Sequence, residues 1–290
     1  MKILYAAEIT GKTGIYAFKK GLPELRQRKP FDFLIACADG ATNGNGLGRN
    51  HAAYLRKLGA NVLTTGECCF YKKDLTESLV KLPYVLRPEN LNIEAPGIGA
   101  RIYKTGGGEK VAVAVLLGQS GFGRIHGNSP FSLLPSLLER LGQETPYIIV
   151  DFHAETTAEK KTLFAAADGR CSAVIGSHAR VQTADETVLP GGTAVICDAG
   201  RTGSAESVGG TETESRIKEY LTGIPEWTRE AWAKPELQGV YIDLDEGGKA
   251  LSIERVRLPL PEMPRKDQET PDQPGEGPAG EPDEAEQAAE

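Results

Sequence analysis

No apolar run in the 290 residues approaches the roughly 18–20 needed to span a bilayer, so a membrane-spanning helix is not expected. No charged leader, apolar core and small-residue cleavage site precede the strand-like "KILYAAEIT" at the start, which argues against a signal peptide. Cysteine is sparse and odd in number: Cys37, Cys68, Cys69, Cys171 and Cys197 show no CxxC spacing. With no export signal they are expected to be reduced thiols, and the chain cytoplasmic. Histidine is sparser still, with only His51, His126, His153 and His178. A basic excess is also missing. The formal charge is −7, but nine acidic and no basic residues follow Lys266, leaving 33 basic against 31 acidic residues in the body. A near-neutral body offers no field for strong non-specific nucleic-acid binding.

What remains, 40% hydrophobic and 25% charged residues, is the composition of a soluble globular protein. Strand-like "KILYAAE", "FDFLIACAD" and "NVLTTGE" precede helical stretches near 14–27, 48–58 and 72–81. Later "PYIIVDFH" leads into helical "TTAEKKTLFAAA", and "AVIGSH" follows. Such alternation predicts an α/β fold with helices covering a sheet. "RIYKTGGGEKVAVAVLLG" and "LQGVYIDLDEGGKALSIERVRL" read instead as hairpins around Gly-rich turns. "KTGGGEK" lacks the spacing of a phosphate-binding P-loop, and "GQSGFG" resembles a nucleophile elbow only loosely. A single domain over residues 1–260 is expected. The Pro-, Gly- and Glu-rich residues 261–290 are expected to form a disordered acidic tail, having too little apolar surface to offset ordering entropy.

Polar residues collect where the predicted strands end. Glu8 ends the first, Asp39 the second, and Glu67 with Cys68 the third. Asp151 and His153 close "YIIVD", His178 and Arg180 follow the next strand, and Asp198 ends "TAVICD". In open α/β sheets the carboxyl ends of strands form the ligand crevice. Taken singly, each residue reads equally as a helix cap or turn; six strand ends in register are harder to explain that way. Carboxylates with imidazoles suit Fe, Mn or Zn, and Asp39, Glu67, His153 and His178 make a plausible ligand set.

"VDFHAETTAEK" (150–160), "GSHARVQTADETVLPGGTAVICDAGRTG" (176–203) and "RPEN" (87–90) resemble the YmdB-like metallophosphoesterases, a branch of the calcineurin-like superfamily. Weaker matches at "ILYAAEITGKTG", "CADGATNGNGL" and "TTGECCFYKKDL" fall in the same order, so the likeness spans residues 1 to about 258. The resemblance implies an αββα sandwich and a two-metal site that hydrolyses phosphodiesters, cyclic nucleotides among them. In such a site two ions about 3.5–4 Å apart clamp the phosphate.

The match at the site is uneven. Glu8 stands where the family has an aspartate ligand of the first metal, and Asp39 where it has a bridging glutamate. Gly40 and Glu67 fall on asparagine ligands, Cys68 on a histidine proposed as proton donor, and Arg180 on a histidine that binds the first metal. His153 and His178 match the second-metal histidines. Every second-metal position thus keeps a donor atom, whereas the first loses two and gains a guanidinium that cannot ligate. Arg180 is therefore expected to occupy the first-metal space, pair with Glu8, and replace some of its charge toward phosphate. One ion is expected rather than two. Arg201 and Thr202, in "DAGRTG", are expected to contact substrate, and Cys68 is a doubtful acid that reads equally as buried filler. The expected partner is a small phosphodiester or nucleotide, with homo-oligomerisation left open. The competing expectation is a catalytically degenerate member that binds a nucleotide or protein as a regulator.

Overall fold

The computed structural model describes residues 1–226 and 229–264. The chain runs β1 (Lys2–Ala6), β2 (Glu8–Ile9), α1 (Gly11–Arg28), β3 (Phe33–Cys37), α2 (Arg49–Lys57), β4 (Val62–Thr64), α3 (Lys73–Thr76) and β5 (Val85–Leu86). It continues through β6 (Ala100–Lys104), β7 (Lys110–Leu117), α4 (Pro130–Gly142), β8 (Ile148–His153), α5 (Thr157–Ala167) and β9 (Ala173–Ser177). The remainder is β10 (Thr187–Val188), β11 (Ala194–Ile196), β12 (Arg201–Ser204), α6 (Thr213–Thr222), β13 (Pro235–Leu244) and β14 (Ala250–Pro259).

The strands form two sheets. One has the order β2-β12-β13-β1-β3-β4-β5, with β14 paired to β13; the other is β10-β11-β9-β8-β7-β6. Strand alternation sorts side chains into three apolar layers. Ile3, Tyr5, Phe33 and Ile35 of the first sheet meet Val113, Val115, Ile149 and Ile175 of the second between the sheets. The alternate residues Leu4, Leu34 and Leu63 turn outward onto Phe18, Leu22 and Leu25 of α1 and Leu55 of α2. On the far side, Val150, Phe152 and Val174 pack against Leu134 and Leu138 of α4 and Leu163 of α5. Each such fully buried side chain contributes about 1.5–3 kcal/mol. The layers read helix, sheet, sheet, helix, the αββα sandwich expected from the sequence. Both predicted hairpins form, as antiparallel β6–β7 and β13–β14.

The helix expected over 72–81 is reduced to α3 and a single 3₁₀ turn at Leu79–Lys81. Thr76 Oγ1 donates to Lys72 O at 3.0 Å and Ser78 Oγ to Asp74 O at 2.7 Å. Short hydroxyl side chains compete with the backbone for such bonds and shorten helices. Residues 265–290, most of the expected acidic tail, lie outside the described residues. No helix among the described residues is long and apolar enough to cross a membrane.

Both sheets carry a block of parallel strands, β1-β3-β4-β5 and β7-β8-β9-β11. The turn after β9 is held by an internal ion pair. Lys160 and Asp198 are each 1% exposed, and Lys160 Nζ lies 3.2 Å from Asp198 Oδ2. Lys160 Nζ also donates to Ser177 O at 2.9 Å, and Asp198 Oδ2 accepts Ala179 N–H at 2.8 Å. The clamp thus grips both sides of His178. It holds His178 and Arg180 at φ of 95° and 58°, a left-handed region that costs non-glycine residues about 1–3 kcal/mol each. Lys160→Met leaves Asp198 buried and unpaired and is expected to lower the unfolding free energy by about 3–5 kcal/mol in chemical denaturation. A loss under about 1 kcal/mol would show that the pair does not brace the turn.

Candidate functional site

The residues that follow the parallel strands come together where the two sheets meet. Asp39 is fully buried just beyond β3. Its Oδ1 accepts Gly66 N–H at 2.6 Å and its Oδ2 accepts Cys68 N–H at 3.0 Å, so the carboxylate shapes the turn that presents Glu67. Gly66 is required there: a Cβ would lie 2.2 Å from the ring atoms of His153. Glu67 stands between the two histidines. One oxygen bonds His153 Nε2, and the other lies 3.2 Å from His178 Nδ1. Ligand atoms of Glu67, His153 and His178 all lie within 4.8 Å of one another, as do those of Asp39, Glu67 and Cys68. His153 Nε2 lies 3.8 Å from Asp39 Oδ2.

A buried chain of hydroxyls and a carboxylate orients His153. Tyr5 Oη donates to Asp151 Oδ2 at 2.7 Å, and Ser177 Oγ donates to Asp151 Oδ1 at 2.6 Å. The Ser177 hydroxyl has one proton, already given to Asp151, so at 2.9 Å it accepts from His153 Nδ1–H. Nε2 is thereby the nitrogen turned toward Glu67 and Asp39. Partners of this kind set the tautomer of metal-binding imidazoles. His178 is braced on its other nitrogen, with Nε2 2.7 Å from Glu155 Oε2. Phe122 packs over both rings, stacked on His153 with centroids 6.2 Å apart and edge-on to His178 at 5.0 Å.

The electrostatics follow from crowding. Burial, and then the neighbouring Glu67 carboxylate, push the Asp39 carboxyl up to about 7. Burial disfavours a charged His153, but Glu67 outweighs it and raises the imidazole to about 10. Burial likewise opposes ionised Glu67, and the two histidines overcome it, holding that carboxyl far below its usual range. Cys68 is 3% exposed. Burial, then Asp39 and Glu67, drive its thiol well above the ordinary value, which makes it a weak proton donor at neutral pH.

The other half of the site is a salt bridge. Arg180 Nε donates to Glu8 Oε1 at 2.9 Å, and Nη2 lies 2.7 Å from the same oxygen. Nη1 donates to Gly209 O and Nη2 to Gly44 O, each at 3.0 Å. Gly40 makes room for the pair: a Cβ would sit 2.9 Å from both Arg180 Nη2 and Glu8 Oε1. Glu8 Oε2 is buried without a hydrogen-bond partner among the described residues, and one oxygen beside a guanidinium does not make a cation site. Two carboxylates and two imidazoles at the Glu67 side do fit a divalent ion of borderline hardness; the Arg180 side does not.

The two residues expected to contact substrate are engaged within the protein. Thr202 is fully buried and its hydroxyl donates to Gln238 O at 3.2 Å, turned into the sheet. The Arg201 guanidinium donates to Ser204 O, Arg180 O and Ala205 O, so it braces the loop bearing Arg180. Arg180 sits beside Glu8 as expected, but its engaged donors leave little for substrate. Lys160, Ser177, Glu155, Tyr5 and Phe122 were not legible as site residues. The only signal was a lysine at a helix position otherwise facing the core, Lys160 in "TTAEKKTLFAAA".

Residues 4–256 match the family described as YmdB-like protein. The chain is 36% identical over 259 residues to the 2′,3′-cyclic-nucleotide 2′-phosphodiesterase of Bacillus subtilis, covering 89% of this chain and 97% of that one. A hypothetical protein of Thermus thermophilus superposes with a TM-score of 0.82 at 32% identity, covering 90% of this chain and all of the other. A structure titled as a novel phosphatase from Mycoplasma pneumoniae gives a TM-score of 0.84 at 28% identity over 93% of this chain and 96% of its own. By sequence and by fold, the chain belongs to the YmdB-like protein family.

Proposed function

We propose that the protein is a metal-dependent phosphodiester hydrolase with a single ion held by Asp39, Glu67, His153 and His178. One observation carries this reading: Glu67 joins His153 and His178 in one group of donor atoms and Asp39 in another, while the adjoining position is filled by the Arg180–Glu8 pair. Support for a diester substrate comes from the name of the Bacillus subtilis relative, a cyclic-nucleotide phosphodiesterase. A divalent ion bound there would polarise a phosphoryl oxygen and lower the pKa of water to about 7.

The chain's own residues do the rest. Ser177, through Asp151 and Tyr5, keeps a proton on His153 Nδ1, so Nε2 is the nitrogen that would bind an ion on giving up its own proton. Asp39 and Glu67 supply the negative charge that would hold a cation, Asp39 from a fully buried position and Glu67 from the edge of the cleft. Arg180 keeps a fixed positive charge beside the cluster and so offsets the carboxylates there without needing an ion of its own. The same salt bridge, together with the weak acidity of Cys68, favours a second reading in which the protein binds nucleotides without turnover.

Elemental analysis of protein purified without chelators is expected to find about one tightly bound ion per chain; two would overturn the mononuclear reading. Hydrolysis of a generic phosphodiester with Mn²⁺ or Fe²⁺ is expected to fall more than about 100-fold in Asp39→Asn and in His178→Ala, beyond what loss of an outer partner costs. Activity untouched by either variant belongs to a contaminant or another site, and its absence in the wild type favours the binding protein. Arg180→Met strands Glu8 buried and unpaired and is expected to cost about 3–5 kcal/mol of stability by denaturant titration, whereas a neutral result would show that the pair does not stabilise the site.

A further inference from the structure

A phosphodiester is an anion, and the walls around the candidate ligands are acidic, with Glu67 at the centre and Glu155 on His178. An ion in the cluster would meet one phosphoryl oxygen, and a side-chain cation is needed to hold the others. Arg180 and Arg201 are engaged by Glu8 and by five backbone carbonyls between them. A cleft of about 200 Å³ opens beside the cluster, lined among others by Glu67, Tyr71, Phe122, Arg124 and His178. Arg124 is exposed on its wall and shares the cleft with Tyr71. Its guanidinium carries five N–H donors in a fork that suits a phosphate.

The segment that carries Phe122 and Arg124 is anchored at both ends. Asn90 Nδ2 donates to Leu117 O at 2.8 Å and to Asn128 O at 2.7 Å, while its Oδ1 accepts Leu117 N–H at 2.8 Å. Near its start, Gly118 N–H bonds His153 O at 2.9 Å and Gln119 N–H bonds Glu159 Oε1 at 2.8 Å. Phe122 is therefore held over the imidazoles by the backbone, and Tyr71 stands 43% exposed on the same cleft. Two aromatic side chains and a planar cation in one small cleft match a nucleoside phosphate, whose base stacks and whose phosphate takes a guanidinium fork.

We propose that this cleft is the substrate pocket, in which Arg124 holds the phosphate of a nucleotide and Phe122, with Tyr71, stacks on its base. The inference rests on the phosphodiesterase reading for its substrate class, yet binding tests it without turnover. Calorimetric titration of the protein as purified with adenosine 3′-monophosphate is the measurement. Arg124→Gln is expected to weaken binding about 10–100-fold, and Arg124→Lys to recover part of that loss. Phe122→Ala is expected to weaken it about tenfold while leaving the affinity for ribose 3-phosphate, which has no base, unchanged. Metal content equal to wild type in all variants shows that the ligand cluster is intact. Wild-type protein that fails to bind, or Arg124→Gln that binds as wild type does, overturns the proposal. Arg124-dependent binding without diester hydrolysis supports the pocket and overturns the catalytic reading instead.

Discussion

Three carboxylates, Glu8, Asp39 and Glu67, are drawn into one corner where the sheets meet, and their repulsion has to be balanced by positive charge. Glu8 and Asp39 are 1% and 0% exposed, so water supplies little of that balance. The protein answers differently on the two sides. Beside Glu8 it installs a permanent cation, Arg180. Around Glu67 it places His153 and His178, groups able to carry a proton or to yield it to a metal ion. This division of labour separates a fixed charge from an exchangeable one within a single cluster.

Holding that cluster takes more of the structure than the cluster itself. His178 and Arg180 both lie in left-handed backbone, which the buried Lys160–Asp198 pair sustains from α5 and the end of β11. His153 is aimed by Ser177, Asp151 and Tyr5, which come from β9, β8 and β1, so the path links one sheet to the other. The absence of side chains matters as much. Gly40 admits the guanidinium and Gly66 admits the imidazole; alanine at either would collide with the groups that define its half of the site.

Much of this was legible from residue order. The strand ends bearing Glu8, Asp39, Glu67, His153, His178 and Arg180 could be picked out because apolar runs of four to eight residues stop at polar ones. Family resemblance then assigned each to a metal position and singled out Arg180 as the misfit. Side-chain direction was less legible. Arg201 and Thr202 adjoin a strand-end aspartate and looked as well placed as any. Pairing of β12 with β2 and β13 instead turns Thr202 into the sheet. Phe122 and Arg124 were overlooked because a Gly-rich loop has no periodicity to say which way it folds.

The sequence by itself determined the α/β alternation and the list of donor residues at strand ends, because these depend on local pattern and side-chain chemistry; the family resemblance added the αββα sandwich, the loss of ligating atoms at Gly40 and Arg180, and the pairing of Arg180 with Glu8. Tertiary structure alone decided that Lys160 is buried against Asp198, that Ser177, Asp151 and Tyr5 aim His153 from both sheets, and that Phe122 lies over both histidines. Those contacts depend on how two sheets stack and where an anchored loop crosses them, and packing geometry of that kind is not written in any short stretch of residues.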